Sequence, residues 1–316
     1  MAEYRVELES STARHFGLPA TITQQLIHAL YTSAKGAVRL QVEGLSVARG
    51  TQPAWLNQAA DFSVLIAEDF PGLRIVAPTL GETSPDRFGQ YGLDLTQDDR
   101  PIGDETAMSL LSRGLDDALE GRADSDAFDA PLLRVFERFA PLFTAGVESV
   151  RITNGRSDSP VVVIDPSGLH RVERLHNRTP PPRQARLAGV LDAIRYSDRA
   201  FTLILQDAGE TRLRGFLADE VSATRLPELW GQSVVLTGPV HFRPSGVPLR
   251  VEAAHLDLAT VNDLAMFSKI PRPMDRRLDP RDLFRLQGSH SGINAIFGQW
   301  PGEESADDVI AALEQT

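Results

Sequence analysis

Arginine side chains occur at two places in this 316-residue chain where their spacing suits the binding of an anion. The first place is "TRLRGFL", in which Arg212 and Arg214 alternate with Phe216. The second lies between 269 and 288 and contains Arg276, Arg277, Arg281 and Arg285. A guanidinium presents a planar fork of donors that pairs with carboxylates or phosphates through two parallel hydrogen bonds. Both groups are therefore candidate binding residues.

The segment from 289 to 316 has five acidic residues and no basic one, and it ends in "QWPGEESADDVIAALEQT". Ser305 and Asp308 have the spacing of a capping box, which predicts a helix of about ten residues, too short to persist alone in water. We expect this helix to fold against a partner, although docking against the chain's own barrel remains an alternative. The candidate contact residues are Phe297, Trp300, Glu303, Glu304, Val309, Ile310 and Leu313.

The sequence contains no motif for a known catalytic chemistry. It has no cysteine, which excludes thiolate nucleophiles and cysteine-ligated metal sites. A phosphate-binding Gly-rich loop, a His-Glu-x-x-His pair and a Gly-x-Ser-x-Gly elbow are all absent from the sequence. We therefore predict a protein that is not an enzyme, with no catalytic residue, metal site or cofactor. The alternative of a hydrolase in the N-terminal part has only scattered carboxylates to support it.

Composition favours a cytoplasmic protein made of more than one domain. The hydrophobic fraction of 42% and the charged fraction of 24% are typical of globular proteins. No apolar run has the roughly 18 residues of a membrane span, and "MAEYRVELES" does not resemble a signal peptide. Of 32 basic residues only Lys35 and Lys269 are lysines, a bias that by itself does not indicate phosphate binding.

Residues 1–178 are predicted to form a mixed α/β domain. "YRVELE" alternates like a strand, and "TITQQLIHALYTSA" has helical spacing and a threonine at its start. "AVRLQVEGLSV" alternates again and is interpreted as a strand. The remaining predictions are a hairpin of "FSVLIA" and "LRIVAP", a loop over 83–104, helices in "DETAMSLLSRGLDDALEG" and "DAPLLRVFERFAPLFTAG", and strands in "VESVRITNG" and "PVVVID".

Three prolines at 180–182 predict a domain boundary, because they neither continue a helix nor donate to a sheet. Beyond them, residues 183–258 show three strands, a short helix and two more strands. This order, the length and the placement of Gly189 resemble the OB-fold, a small barrel often used for oligonucleotides. The fold class is therefore predicted as α+β.

The alternation of strand residues predicts which barrel surface carries a ligand. Phe201, Leu203, Leu205, Leu213 and Leu217 should face inward. Arg212, Arg214 and Phe216 should then face outward, as a surface that tracks charge and stacks on the bases of a single strand would. The alternative is a structural barrel with solvated arginines.

Residues 259–316 are predicted to form an extended and helical C-terminal arm. Its end, "IFGQWPGEESADDVIAALEQT", is similar to the C-terminal ends of many small bacterial type II antitoxins, in which Gly-x-Trp-Pro-Gly, two acids and a helix end the chain. Those antitoxins are paired with PIN-domain ribonuclease toxins from an adjacent gene, and the tail is the part that binds the toxin. The similarity covers 296–316, and the long preceding region departs from the small DNA-binding module of such antitoxins.

The resemblance implies that this chain binds and neutralises a PIN-domain-type ribonuclease through its arm. It implies that one of the four arginines between 276 and 285 enters the acidic toxin pocket, with the aromatic and aliphatic residues as anchors. The alternative function is a single-stranded nucleic-acid-binding protein that uses the barrel and recruits a partner through its acidic tail.

Overall fold

The long first helix, α1 (Ala20–Glu43), is the central element of the N-terminal layer. The computed structural model describes residues 1–10, 18–47, 52–67, 69–88, 103–155, 161–195, 199–205, 211–218 and 226–273. The chain divides into two units, Met1–Met274 and Asp275–Thr316, and all described residues belong to the first.

Helices and strands alternate along the N-terminal part and strands dominate from 183 onward. The strands are β1 (Ala2–Ser10), β2 (Ser63–Ile66), β3 (Gly72–Ala77), β4 (Val147–Asn154), β5 (Val162–Ile164), β6 (Arg183–Arg195), β7 (Ala200–Leu205), β8 (Thr211–Leu217), β9 (Ser233–Phe242), β10 (Pro248–Ala253) and β11 (His255–Leu258). The further helices are α2 (Ala54–Ala60), α3 (Leu80–Thr83), α4 (Pro85–Phe88), α5 (Ala107–Leu119), α6 (Ala130–Phe136), α7 (Ala140–Thr144), α8 (Pro166–Arg178), α9 (Leu226–Leu229) and α10 (Val261–Phe267), with a 3-10 turn at Glu137–Phe139.

The N-terminal sheet has five strands in the order β2-β3-β1-β4-β5, and every pair is antiparallel. Alternate residues of β1, Tyr4, Val6 and Leu8, are buried in the same core as residues of α1 and α5. The Tyr4 hydroxyl is satisfied within that core by Thr106 Oγ1 at 2.7 Å. The predicted hairpin of β2 and β3 and the predicted pair of β4 and β5 are confirmed.

The prediction of a strand over 37–47 is wrong, because α1 continues to Glu43. Its last full turns, from Gly36 to Val42, are buried on every side, so their apolar residues lose the one-sided spacing of an amphipathic helix. Arg39 Nε lies 2.6 Å from Glu43 Oε2, and residues four apart meet in this way on one side of a helix. The prediction of a threonine cap is also wrong, since Pro19 occupies the N-cap and no side chain caps the helix.

Other N-terminal elements differ from the sequence predictions in detail. The helix expected over 129–146 is divided into α6, the 3-10 turn and α7, with Pro141 at the start of α7. α8 is a helix beyond those predicted; Asp165 caps it and Pro166 opens it. Part of the loop expected over 83–104 is α4, and residues 89–102 lie outside the described ranges.

Strands β6 to β10 close into a five-stranded barrel in the order β6-β7-β8-β10-β9 and back to β6. Only the β8–β10 pair is parallel among these neighbours. The α+β class, the five strands and the helix between the third and fourth are confirmed. The inward positions Phe201, Leu203, Leu205, Leu213 and Leu217 are all buried in the barrel core.

Two further elements contact the closed barrel. Strand β11 pairs with β9, and α10 lies against β6, where Asp263 accepts from Arg186 at 2.9 Å. A Cβ on Gly189 would lie 2.4 Å from the Ile204 carbonyl oxygen, so β6 and β7 approach closely there.

No helix among the described residues is long and apolar enough to cross a membrane.

Gly44 ends α1 in the left-handed conformation, with φ +75°, and a Cβ there would lie 2.0 Å from the Phe216 ring. We expect Gly44→Ala to destabilise the fold by two effects, the left-handed strain and displacement of the ring. Gly231→Ala is the matched control, because Gly231 has φ +72° and open space around it. The free energy of unfolding of the control should fall by about 1–2 kcal/mol from the strain of the left-handed conformation alone.

The free energy of unfolding of Gly44→Ala should fall by a further ~1–3 kcal/mol, because the added methyl group overpacks the site. Urea unfolding of the two variants, compared at equal pH and salt, measures the difference. Equal losses would mean that the Phe216 ring moves aside without cost, and would contradict a tight contact between Gly44 and this ring.

Candidate functional site: an arginine-lined cleft

A buried carboxylate, Asp129, joins the N-terminal layer to the barrel. It caps α6 by accepting from Leu132 N at 3.0 Å, and it accepts from Ser46 N at 3.1 Å and Ser46 Oγ at 2.5 Å. The fourth donor is Arg250 of β10, whose Nη2 lies 2.6 Å from Asp129 Oδ2. Both side chains are 4% exposed. The carboxylate is therefore held by donors from three separate parts of the chain.

Arg250 is a cation whose side chain has little exposure to water. Burial lowers the pKa of Arg250 from its usual range to about 10, and the charge of Asp129 opposes this shift. Because a pKa of about 10 is well above neutrality, the guanidinium stays charged at pH 7. Its Nε is buried without a hydrogen-bond partner in the described part of the chain.

The C-terminal end of α1 lies against the outer side of β8. Arg214 Nη2 donates to the Gln41 carbonyl oxygen at 2.9 Å, which satisfies one of the carbonyls left free at a helix end. The same guanidinium lies 5.1 Å from the centre of the Phe216 ring. Arg214 therefore stabilises the docked helix end by a hydrogen bond and by its positive charge.

A cleft of about 240 Å³ opens between this helix end and the barrel. Its walls come from α1, from β8, from β10 and from the turn that joins β9 to β10. Its lining residues include Leu40, Gln41, Gly44, Asp126, Thr202, Arg212, Arg214, Phe216, Arg243, Leu249 and Arg250. Four arginines thus share one small concave surface, a local charge that can attract carboxylates or phosphates.

The three barrel residues predicted to bind nucleic acid have different environments. The side chain of Arg212 is 72% exposed, and its Nη2 lies 3.8 Å from Asp192 Oδ2. Arg214 is partly buried by its contact with α1. Phe216 is only 5% exposed, because the helix end at Gly44 covers its ring. The expectation that this ring is open for stacking on a base therefore needs correction.

The predicted partner-binding residues of the arm lie outside the described residues, which end at 273. They are Arg276, Arg277, Arg281, Arg285, Phe297, Trp300, Glu303, Glu304, Val309, Ile310 and Leu313. The toxin-binding surface of the arm therefore stays a prediction.

Sequence reasoning missed three residues that shape the cleft. Arg243 and Arg250 line it, and Asp129, which caps α6, lies behind Arg250. One signal was present, because Arg250 stands between Leu249 and Val251 in an apolar strand, where a charge needs a partner. The identity of that partner, 121 residues away, has no signature in the sequence.

Within the described ranges, no group of three or more His, Asp or Glu side chains is placed to hold a metal ion. His241 Nε2 lies 3.8 Å from Glu252 Oε2, and this neighbour lowers the pKa of the Glu252 carboxyl while partial burial opposes the shift. The pair lies on β9 and β10 and supplies two groups, fewer than a typical metal site.

No protein-family profile, curated protein or solved structure matches this chain. Its function must therefore be inferred from its own residues and from their arrangement.

We expect Asp129→Ala to destabilise the fold by about 3–5 kcal/mol, because it leaves the Arg250 charge buried without its acceptor. Arg250→Met should cost less, about 1–3 kcal/mol, since Asp129 keeps three other donors. Equilibrium unfolding in urea of both single variants and the double variant gives the coupling between the two residues.

The double variant should be more stable than the sum of the single losses implies. Strict additivity of the two losses would contradict a direct interaction between Asp129 and Arg250.

Proposed function

We propose that this protein binds and neutralises a PIN-domain-type ribonuclease toxin through the region from 270 to 316. The observation that carries the proposal is the sequence "IFGQWPGEESADDVIAALEQT", which is similar to the toxin-binding ends of bacterial type II antitoxins. The division of the chain between Met274 and Asp275 supports it, because the antitoxin-like sequence falls in a unit separate from the body.

The residue types of this region suit an acidic ribonuclease pocket. A PIN-type active site gathers carboxylates around Mg²⁺, and an arginine that enters it pairs with those carboxylates and blocks the metal site. Arg276, Arg277, Arg281 and Arg285 are the candidates for that role. A buried aromatic or aliphatic anchor contributes most of the affinity in such an interface, which assigns anchoring to Phe297, Trp300, Val309, Ile310 and Leu313.

The acidic residues of the tail complement a surface that otherwise holds RNA. Glu303 and Glu304 follow the Trp-Pro-Gly turn directly, and Asp307 and Asp308 open the predicted helix. Complementary charge accelerates association more than it raises affinity, so these acids promote the encounter with a basic toxin surface.

The body supplies a scaffold or a second binding surface. We propose that its barrel is an OB-fold, which the closed order of five strands and the parallel β8–β10 pair support. The proposal concerns the fold of this barrel and does not by itself assign a ligand to it.

The alternative function, binding of single-stranded nucleic acid by the barrel, has the arginine-lined cleft in its favour. Stacking of bases on aromatic rings provides much of the affinity of such proteins. The ring on this surface, Phe216, is 5% exposed, and Arg214 is engaged with α1. These two observations weigh against stacking of bases on this surface, and the case for toxin binding rests on the sequence of the tail.

Removal of 289–316 should abolish inhibition of the PIN-domain ribonuclease encoded by the adjacent gene, because the anchors are lost. Trp300→Ala should weaken the complex by roughly 2 kcal/mol or more, the size typical of a buried aromatic anchor. Trp230→Ala is the matched control, since Trp230 is a body tryptophan with 65% exposure. Cleavage of a fluorescent RNA and titration calorimetry measure both effects.

The truncated protein should unfold at the same temperature as the full chain, which separates loss of binding from loss of the fold. Inhibition that survives truncation, or equal weakening by the two tryptophan variants, would rule out the arm as the inhibitory element.

Single-stranded oligonucleotides test the alternative function. We expect no length-dependent binding to the full chain, because the stacking ring is covered. A fluorescence-anisotropy titration with labelled poly-dT at two salt concentrations measures it. Salt-dependent binding that Arg212→Ala weakens would favour the nucleic-acid function instead.

A further inference from the structure

The N-terminal sheet ends in two edge strands, β2 and β5, which differ in their protection against further pairing. β5 is only Val162–Ile164, and Pro160 and Pro166 flank it in the sequence. A proline cannot donate to a neighbouring strand, so it hinders pairing at an edge. β2 lies in the uncharged stretch 62–67, which has no proline. Within the described residues β2 pairs with β3 alone, so its other edge is open to a further strand.

β2 exposes apolar side chains on both faces of the sheet. Leu65 lies opposite Arg74, an exposed residue of β3, so it is on the solvent face, and it is 54% exposed. Ile66 lies opposite Leu73, a core residue, so it is on the core face, yet it is 70% exposed. Val64 shares that face and is half-buried. A strand added beside β2 would cover all three side chains.

The backbone groups on the open edge of β2 belong to Val64 and Ile66. Ala67 N donates to the Gly72 carbonyl oxygen at 3.2 Å, so these two residues form a hydrogen-bonded pair between β2 and β3. Hydrogen-bonded pairs alternate along an antiparallel ladder, so Leu65 also directs its N–H and C=O towards β3. Val64 and Ile66 therefore direct theirs away from β3, where a further strand would meet them.

We propose that β2 pairs with β2 of a second copy of this chain, antiparallel and about a twofold axis at Leu65. Residues directly opposite each other in an antiparallel pair share a face of the sheet. Leu65 then meets Leu65 of the second copy on the solvent face, and Val64 meets Ile66 on the core face. Registers shifted by two residues place Leu65 opposite Ser63 or Ala67 and bury less apolar surface.

The hydrogen bonding of the open edge agrees with this register. Val64 and Ile66 of the two copies become hydrogen-bonded pairs at both symmetric positions, since their N–H and C=O groups point towards each other. Leu65 becomes the non-hydrogen-bonded pair at the axis, where opposite side chains are closest. The register thus uses the free backbone groups and the exposed side chains of β2 together.

The charge distribution favours a second copy as the partner. No charged residue occurs between 62 and 67, so the paired residues bring no like charges opposite each other. The nearest acids, Asp61 and Asp69, lie beyond the paired residues, and Asp69 Oδ2 is 2.8 Å from Arg74 Nη2. A twofold contact uses the same surface on both copies and is closed, so the association ends at a dimer.

The contact is small, so the dimer is weak. Four strand residues span roughly 13 Å, and their contact is well below the roughly 800 Å² per partner of a standard stable interface. Each copy also has a net charge of −11, which opposes association. Because salt screens this repulsion and leaves the apolar contact intact, dimerisation should strengthen as sodium chloride is raised.

Sedimentation velocity of the full chain over a wide range of protein concentration, at low and high sodium chloride, tests the proposal. Leu65→Glu is the decisive variant. Within one chain the new carboxylate lies opposite Arg74, which favours the fold, whereas in the dimer two carboxylates meet at the axis. Val163→Glu is the matched control, because Val163 is 42% exposed on the other edge strand and lies opposite Arg151.

Leu65→Glu should weaken dimerisation by roughly tenfold or more, since both copies lose an apolar side chain and gain like charges at the axis. Val163→Glu should dimerise as the unchanged chain does. An equimolar mixture of Leu65→Glu and Leu65→Lys chains should associate more tightly than either variant alone, because opposite charges then meet. This rescue depends on the register and separates a lost contact from a lost fold.

A full chain that stays monomeric at its highest soluble concentration would overturn the proposal. A dimer that Leu65→Glu leaves intact, or that Val163→Glu weakens equally, would place the contact elsewhere and overturn it too. Assemblies larger than a dimer would contradict the closed twofold pairing. The oligomeric state is measured without any ribonuclease, so the outcome is independent of the proposed function of the arm.

Discussion

The buried contact between Asp129 and Arg250 is the constraint on which the arrangement of the body depends. Two ionised groups, each 4% exposed, are stable in such a site only if each has a partner of good geometry. The carboxylate binds the start of α6, the turn after α1 and strand β10 at one point. Moving either layer relative to the other would leave a charge buried without its partner.

This contact brings the end of α1 onto the outer side of the barrel. Gly44 leaves no room for a side chain against Phe216, and Arg214 donates to the carbonyl of Gln41. The consequence is a change in the character of the barrel surface. A strand face that an isolated barrel would expose becomes partly an internal interface and partly the wall of a small cleft. The ring that suits stacking on a base instead packs against a helix.

Periodicity predicted most of the described strands and several helices, because each side of a strand or helix has one dominant environment. Leu203 and Leu213 are inside the barrel as their alternation requires. Periodicity does not identify the end of α1, because residues 36–42 are buried on all sides and no polar face marks the period. It identified Arg212, Arg214 and Phe216 as facing outward from the barrel, but it could not show that a distant helix covers Phe216.

The sequence by itself determined the five strands of the barrel and the acidic, aromatic end of the chain, on which the proposal of toxin binding rests. Those features depend on residues close together in the chain, whose types and spacing are legible without the fold. Only the tertiary structure decided that Arg250 pairs with Asp129 across 121 residues and that four arginines share a cleft. The physical reason is that desolvation and charge pairing depend on which surfaces meet in space. The spacing of residues along the chain does not specify which surfaces those are.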